Sequence, residues 1–174
     1  MSCLSEVTHD PIRPPSPNTP PHKQNYALLL RADLDGAVSV KPAADTSFCI
    51  DVAAGSEERK GVIVDPTETV EVEGSRGTCH LQIKLPGMKQ PASITVMETS
   101  AYTASGSFGV VAKLECRGVE VTGWRPHPDT AFVVEAESGK EFADLDLSEE
   151  VSEYDEDAGA AVSVLEIETK VEKK

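Results

Sequence analysis

The chain has 174 residues, a hydrophobic fraction of 39% and only 5% aromatics, so it is long enough to bury one aliphatic core filled by Val, Leu and Ile. No apolar run approaches the roughly 18 residues of a membrane span, and a formal net charge of −14 excludes nucleic acid and anionic membrane surfaces as partners. Eleven acids against one lysine lie between Glu135 and Asp157; the stretch reads as a solvated face, with docking of a basic protein as the alternative use.

Residues 1–25 read as a disordered, solubilising tail. Pro11, Pro14, Pro17 and Pro20 recur with the period of polyproline II, a shape that SH3-type or WW-type grooves accept, although well-placed basic residues are missing. Ser16-Pro17 and Thr19-Pro20 suit proline-directed kinases. No basic segment leads into an apolar stretch here, so a cytoplasmic location is expected, with the nucleus as the other compartment.

From Tyr26 onward the pattern is that of strands. Short β-branched or apolar runs occupy Ala27–Leu34, Phe48–Val52, Val70–Val72, Leu81–Leu85 and Ile94–Met97, then Val110–Leu114, Phe132–Ala136 and Val162–Ile167. Asp35-Gly36, Gly74-Ser75-Arg76-Gly77, Ser105-Gly106-Ser107 and Ser138-Gly139 separate them as turns. Ser148–Ala161 is the only place with room for a short helix, and it is too acidic and glycine-interrupted to be assigned one. Ala101–Ser107, small and polar, reads as a linker between two halves.

Those halves repeat. Lys41-Pro42-Ala43-Ala44-Asp45-Thr46-Ser47-Phe48 returns 84 positions later as Arg125-Pro126-His127-Pro128-Asp129-Thr130-Ala131-Phe132, and the register continues through Gly55/Gly139 to Leu81–Lys84 against Leu165–Glu168. The expected fold is mainly β: two similar lobes, about residues 26–100 and 108–172, related by a pseudo-two-fold axis and packed as one domain over 26–174. Phe48 and Phe132, Ile50 and Val134, and Ile83 and Ile167 are the paired core positions this register predicts.

Candidate chemistry is sparse. Cys3, Cys49, Cys79 and Cys116 contain no C-x-x-C; Cys49 and Cys116 read as buried small hydrophobes, and Cys79, beside a turn, as more exposed. Cys79 and His80 should point to opposite faces of a strand, which argues against a metal site built with Cys49 and His127. His9 and His22 belong to the tail. Gly-x-Ser-x-Gly, the phosphate-loop pattern and His-Glu-x-x-His are all missing, so no catalytic residue is assigned.

Gly74-Ser75-Arg76-Gly77, the run Leu114-Glu115-Cys116-Arg117-Gly118-Val119-Glu120, the segment Ser138 to Leu147 and Tyr154-Asp155-Glu156 together resemble the eukaryotic CXXC-motif-containing zinc-binding protein family. The resemblance covers about Ala27 to Lys170 and implies a β-rich fold of two lobes in a small intracellular protein without established catalysis. It also implies four zinc thiolates from two C-x-x-C pairs. Their positions fall on Ala53, Ser56, Leu85 and Met88, none of which supplies a thiolate, so the family's zinc is not carried over. Glu137, Lys140, Thr169 and Glu172 hold the corresponding places in the second copy and are not cysteines either.

The sequence therefore reads as a metal-free, cofactor-free, non-enzymatic member of this family acting through a protein partner. Apolar Leu85 and Met88 with small Ala53 are expected to close the vacated site by packing. Arg76 and Arg117, next to glycines at turns or strand ends, are expected to pair with a carboxylate or carbonyl of the other lobe. The alternatives are a metal or redox protein using Cys49, Cys79 and Cys116, and an enzyme with an unrecognised site between the lobes.

Overall fold

The computed structural model describes residues 23–43, 46–72, 77–127 and 131–174. Fourteen strands follow one another: β1 Lys23–Asp35, β2 Ala37–Pro42, β3 Phe48–Ala54, β4 Glu57–Val64, β5 Val70–Glu71, β6 Thr78–Cys79, β7 Leu81–Ile83, β8 Ala92–Thr99, β9 Gly109–Arg117, β10 Glu120–Arg125, β11 Phe132–Ala136, β12 Glu141–Leu145, β13 Val151–Asp155 and β14 Ala160–Lys173. Among the described residues there is no helix, and hence none long and apolar enough to cross a membrane. Across Ser148–Ala161, where acids and a glycine count against a helix, β13 turns back into β14 as a hairpin, with Tyr154 opposite Ala161 and Val151 opposite Val164. The glycine at 159 has φ +64°, which suits that reversal and would interrupt a helix.

β1 organises the molecule. Tyr26–Leu30 are all buried, as a strand covered on both faces requires, and the strand lies between β14 and β9 in the six-stranded sheet β13-β14-β1-β9-β8-β7. It begins at Lys23, three residues into the segment read as tail. Two three-stranded sheets, β10-β3-β4 and β12-β11-β2, and the ribbon β5-β6 complete the fold. One contiguous core takes side chains from the large sheet and from both small ones, including Leu28, Leu114 and Val164, Phe48, Ile50 and Trp124, and Phe132 and Val134. Each such side chain contributes about 1.5–3 kcal/mol through burial.

Strands β2, β4, β10 and β12 carry no strong apolar run and went unrecognised in the sequence. β4 opens Glu57-Glu58-Arg59-Lys60, all exposed, and buries only Val62 and Val64. Such strands are fixed by the partner they pair with more than by their own propensity.

The small sheets exchange strands between the two halves. Arg125 lies opposite Cys49 and Trp124 opposite Ile50 in one, while Lys41 lies opposite Val133 and Val40 opposite Val134 in the other. Each pair becomes its counterpart when both residues move by 84 positions and the halves change places. Leu28 and Ala112, themselves 84 apart, face each other across β1 and β9, and both are fully buried. Phe48 and Phe132 are each 1% exposed. The register does not hold to the end. Leu81 lies in the short outer strand β7 opposite Ile94, whereas Leu165 lies in β14 opposite Asp33, and Ile167 is only half-buried where Ile83 is buried. The strand beside β9 that answers to β14 beside β1 is β8, so the match of Leu81–Lys84 with Leu165–Glu168 is not a match of place.

Two aromatics hold the layers together. The Trp124 indole N–H points at the carbonyls of Leu29 (2.9 Å) and Lys170 (3.1 Å), tying β10 to β1 and β14, and its ring meets Phe48 edge-on at 6.3 Å. Tyr102, in the segment read as a polar linker, is 1% exposed. Its hydroxyl accepts from the Ala32 N–H at 3.0 Å and has the carbonyls of Ala104 (2.8 Å) and Ser107 (2.6 Å) as acceptors. The linker is therefore clamped against β1 through a buried side chain.

Candidate functional site

Leu85-Pro86-Gly87-Met88 forms a tight turn: the Met88 N–H donates to the Leu85 carbonyl at 3.1 Å, and Gly87 has φ +86°. Proline before a glycine at positive φ is what a type II turn demands. Leu85 is 2% exposed, and its own N–H approaches the Met88 thioether at 3.2 Å. Gly118, at φ +89° in the β9–β10 turn, leaves the space that Met88 and Ala92 use: a Cβ added there would lie 3.2 Å from the Ala92 Cβ and 3.7 Å from the Met88 Cε. The glycine of the Glu115-Cys116-Arg117-Gly118 run is thus required by its backbone and by close packing.

Of the other two positions, Ala53 also reaches the neighbourhood of this turn. Ala53, half-buried near the end of β3, lies opposite Glu120, which begins β10 directly after that turn. Ser56 is exposed in the β3–β4 turn beside Gly55, whose φ is +62°. Both loops therefore border the β9–β10 turn. Their side chains are a methyl, a hydroxyl, a buried isobutyl and a thioether, a set that does not fit zinc. The corresponding second-copy positions are arranged differently. Thr169 and Glu172 lie in extended β14, where the Thr169 hydroxyl donates to the Trp124 carbonyl at 2.7 Å and Glu172 pairs with Lys170 at 3.0 Å. Glu137 and Lys140 flank the β11–β12 turn.

The three described cysteines are free and buried, in three different sheets. Burial pushes the Cys116 thiol up to about 12, with the Glu115 charge adding to it. Burial also raises Cys49 and Cys79. Cys79, expected to be the more exposed, is 2% exposed, because its thiol turns inward toward the Leu81 carbonyl at 3.3 Å. Among the described residues no three His, Cys, Asp or Glu side chains converge as a metal-holding group. His80 uses Nδ1 to accept the Val96 N–H at 2.9 Å, which fixes its ring.

Arg76 lies outside the described residues. Arg117 is half-exposed and stands 3.6 Å from Glu115, two residues earlier on its own strand, rather than reaching a carboxylate of the other half. Glu115 meets Lys23 of β1 at the same distance, 3.6 Å, so the carboxylate separates two cations placed opposite each other in the sheet.

An open groove of about 540 Å³ lies where β10 ends, between the turn that leads into β13 and the face of β14. Arg125, Pro126, His127, Leu147, Glu149, Glu150 and Ile167 are among its walls. Arg125 is held by Asp51 through contacts of 3.1 and 3.4 Å, and Asp51 also accepts the Gly61 N–H at 3.0 Å. Nothing in the sequence singled this groove out, because its walls come from three segments far apart in the chain.

The sequence and the architecture can be set beside known proteins. The family described as "CXXC motif containing zinc binding protein, eukaryotic" matches residues 27–172. The chain belongs to this family. A UPF0587 protein of Dictyostelium discoideum is 29% identical over 154 residues, spanning 84% of this chain and 96% of its own length. A CXXC motif containing zinc binding protein of Xenopus laevis is 26% identical, over 82% of this chain and 94% of its own. The crystal structure of C1orf123 superposes with a TM-score of 0.78 at 26% identity, covering 86% of this chain and 99% of that one. A hypothetical protein from Plasmodium falciparum has the same TM-score, 0.78, at 22% identity, and so shares the fold. The chain's own four cysteines, Cys3, Cys49, Cys79 and Cys116, form no C-x-x-C pair.

Proposed function

We propose that this chain is a metal-free member of the zinc-binding family that works by contacting another protein rather than by catalysis. The observation that carries the reading is Leu85. A residue 2% exposed, packed in the core and closing a turn on Met88, occupies a place where zinc would need a thiolate, and packing has taken over the metal's task of fixing the loop. Three buried, unpaired thiols suit a reducing compartment, and the reading places the protein in the cytoplasm, with the nucleus open to it.

The pairing pattern also supports an internal pseudo-two-fold relation, with its axis beside Leu28 and Ala112 and one strand exchanged between the halves. An exchanged strand makes neither half separable. One folding unit follows, in which β10 of the second half completes the sheet of the first and β2 of the first completes the sheet of the second.

Retained zinc or redox function through Cys49, Cys79 and Cys116 is the weaker reading: ligand and redox cysteines need thiolates, and these thiols lie in separate sheets with their pKa values raised. An enzyme site in the groove is weaker too, since the Arg125 guanidinium is engaged by Asp51 and the Thr169 hydroxyl by a carbonyl. Elemental analysis of protein purified without added metal, together with melting in the presence of a chelator, tests the reading. Substoichiometric zinc and an unchanged melting temperature are expected. One zinc per chain with unfolding on chelation overturns it.

A further inference from the structure

We propose that the outer edge of β13, with the groove at its start, docks an extended basic peptide segment that adds to the large sheet as a further strand. The proposal rests on the protein-contact reading and names the surface and the chemistry of its partner.

The six-stranded sheet ends in β13 on one side and in β7 on the other. The two ends are finished differently. β7 has only three residues, and beside it the Gln82 side-chain amide donates to the Glu71 carbonyl, so the β5-β6 ribbon stands against that edge. β13 has five residues, about 17 Å of strand, and pairs only with β14 among the described residues. An outer strand offers a row of backbone N–H and C=O groups to an added chain. Ser152 and Tyr154 are exposed on it, Tyr154 at 59%. A rigid aromatic of this kind is a common anchor in contact surfaces.

Charge selects what can pair there. β13 and its flanking turns carry Glu149, Glu150, Glu153, Glu156 and Asp157, and no ion pair among the described residues engages Glu149, Glu153 or Glu156. The one lysine of this stretch, Lys140, sits over the Phe142 ring at 5.4 Å. A second copy of this chain would bring the same acids edge to edge and be repelled, which is how edge charges prevent self-pairing. A strand bearing Lys or Arg meets the complementary field instead.

The groove extends the same site. Its 540 Å³ open beside Leu147–Glu150, the residues that lead directly into β13, so a segment paired along β13 and continuing past Val151 comes to its rim. Half-buried Ile167 offers apolar wall for the stem of a Lys or Arg and Glu149 a carboxylate for its head, while the Arg125 guanidinium on the same wall is taken up by Asp51.

The test uses the full chain and a fluorescein-labelled, end-blocked peptide of about ten residues alternating valine with lysine or arginine, read by anisotropy. Three comparisons accompany it: the same peptide N-methylated at alternate residues, an acidic analogue, and protein variants checked for folding by circular dichroism. Binding of the basic peptide is expected, with loss on N-methylation and none for the acidic analogue. The Glu149→Lys/Glu153→Lys variant should weaken binding about tenfold. The Glu57→Lys/Glu58→Lys variant, with the same charge change on the β3–β4 hairpin, should bind like the unaltered chain. Equal binding of the N-methylated peptide, equal weakening by both variants, or self-association through β13 overturns the proposal. Partners captured from cell extract and held equally by the Glu149→Lys/Glu153→Lys variant also overturn it while leaving the protein-contact reading standing. Failure to capture any protein, with the peptide still bound at β13, instead sinks the broader reading.

Discussion

Cysteines at the four positions where the resemblance places the family's ligands give the sharpest test of the metal-free reading. In the quadruple variant Ala53→Cys, Ser56→Cys, Leu85→Cys and Met88→Cys, the costs can be worked from the burial of each position. Leu85 is 2% exposed, so its replacement removes roughly two methylene-sized groups at about 0.8 kcal/mol each and leaves part of a cavity. Met88 is half-buried and adds about 1 kcal/mol. Ala53 and Ser56, at a strand end and in an exposed turn, add little. The metal-free variant should therefore be about 2–3 kcal/mol less stable than the unaltered chain, melting about 5–10 °C lower. Because both loops border the β9–β10 turn, four thiolates should then converge, and structural zinc is worth about 10–16 kcal/mol. Zinc should more than restore the melting temperature and release protons as it binds, while cobalt should give tetrahedral absorption. The assay is thermal unfolding with and without metal, followed by calorimetric titration. A variant that folds yet holds neither metal would refute both the assignment of these four positions and the neighbourhood of the two loops.

Other outcomes follow from single contacts. Tyr102→Phe leaves the fully buried Ala32 N–H without its acceptor and should cost about 2–3 kcal/mol in urea unfolding; an unchanged midpoint would show that the hydroxyl clamp contributes nothing. Phe132→Ala should cost about 3–5 kcal/mol, as truncation of a buried phenylalanine does, and Phe48→Ala should match it if the halves are equivalent. Glu166 holds φ +52° in β14, a left-handed backbone that glycine adopts without strain, and the Asp33 carboxyl beside it, with Glu150, raises its pKa; Glu166→Gly should raise the melting temperature at neutral pH, and a lower one would refute the strain. The Asp155 carboxylate, accepting from the Ser138 hydroxyl and from the N–H groups of Asp157 and Ala158, has its pKa lowered. Its stabilisation is therefore full above the unfolded carboxyl pKa of about 3.9 and lost as pH falls through the lower folded value. Acid unfolding of Asp155→Asn should lack that component, and an identical pH profile would refute the assignment.

Much of this was legible in the sequence because it depends on local pattern. The short β-branched runs gave the β class and most core strands, and Phe48, Ile50, Phe132 and Val134 within them are buried. The resemblance placed Leu85 and Met88 at ligand positions, and Pro86-Gly87 between them already carries the turn chemistry. Strands such as β4 and β10 could not be read, because half-exposed, charged segments become strands only when a partner supplies the ladder. The exchange of β2 and β10 between halves, the Tyr102 clamp inside an apparently polar linker and the groove beside β13 all depend on residues tens of positions apart meeting in space. Residue order sets periodicity and turn preference over a few positions. Which edge stays open, which thiol is buried and which loops become neighbours depends on how the sheets close over one core, and tertiary packing alone decided these.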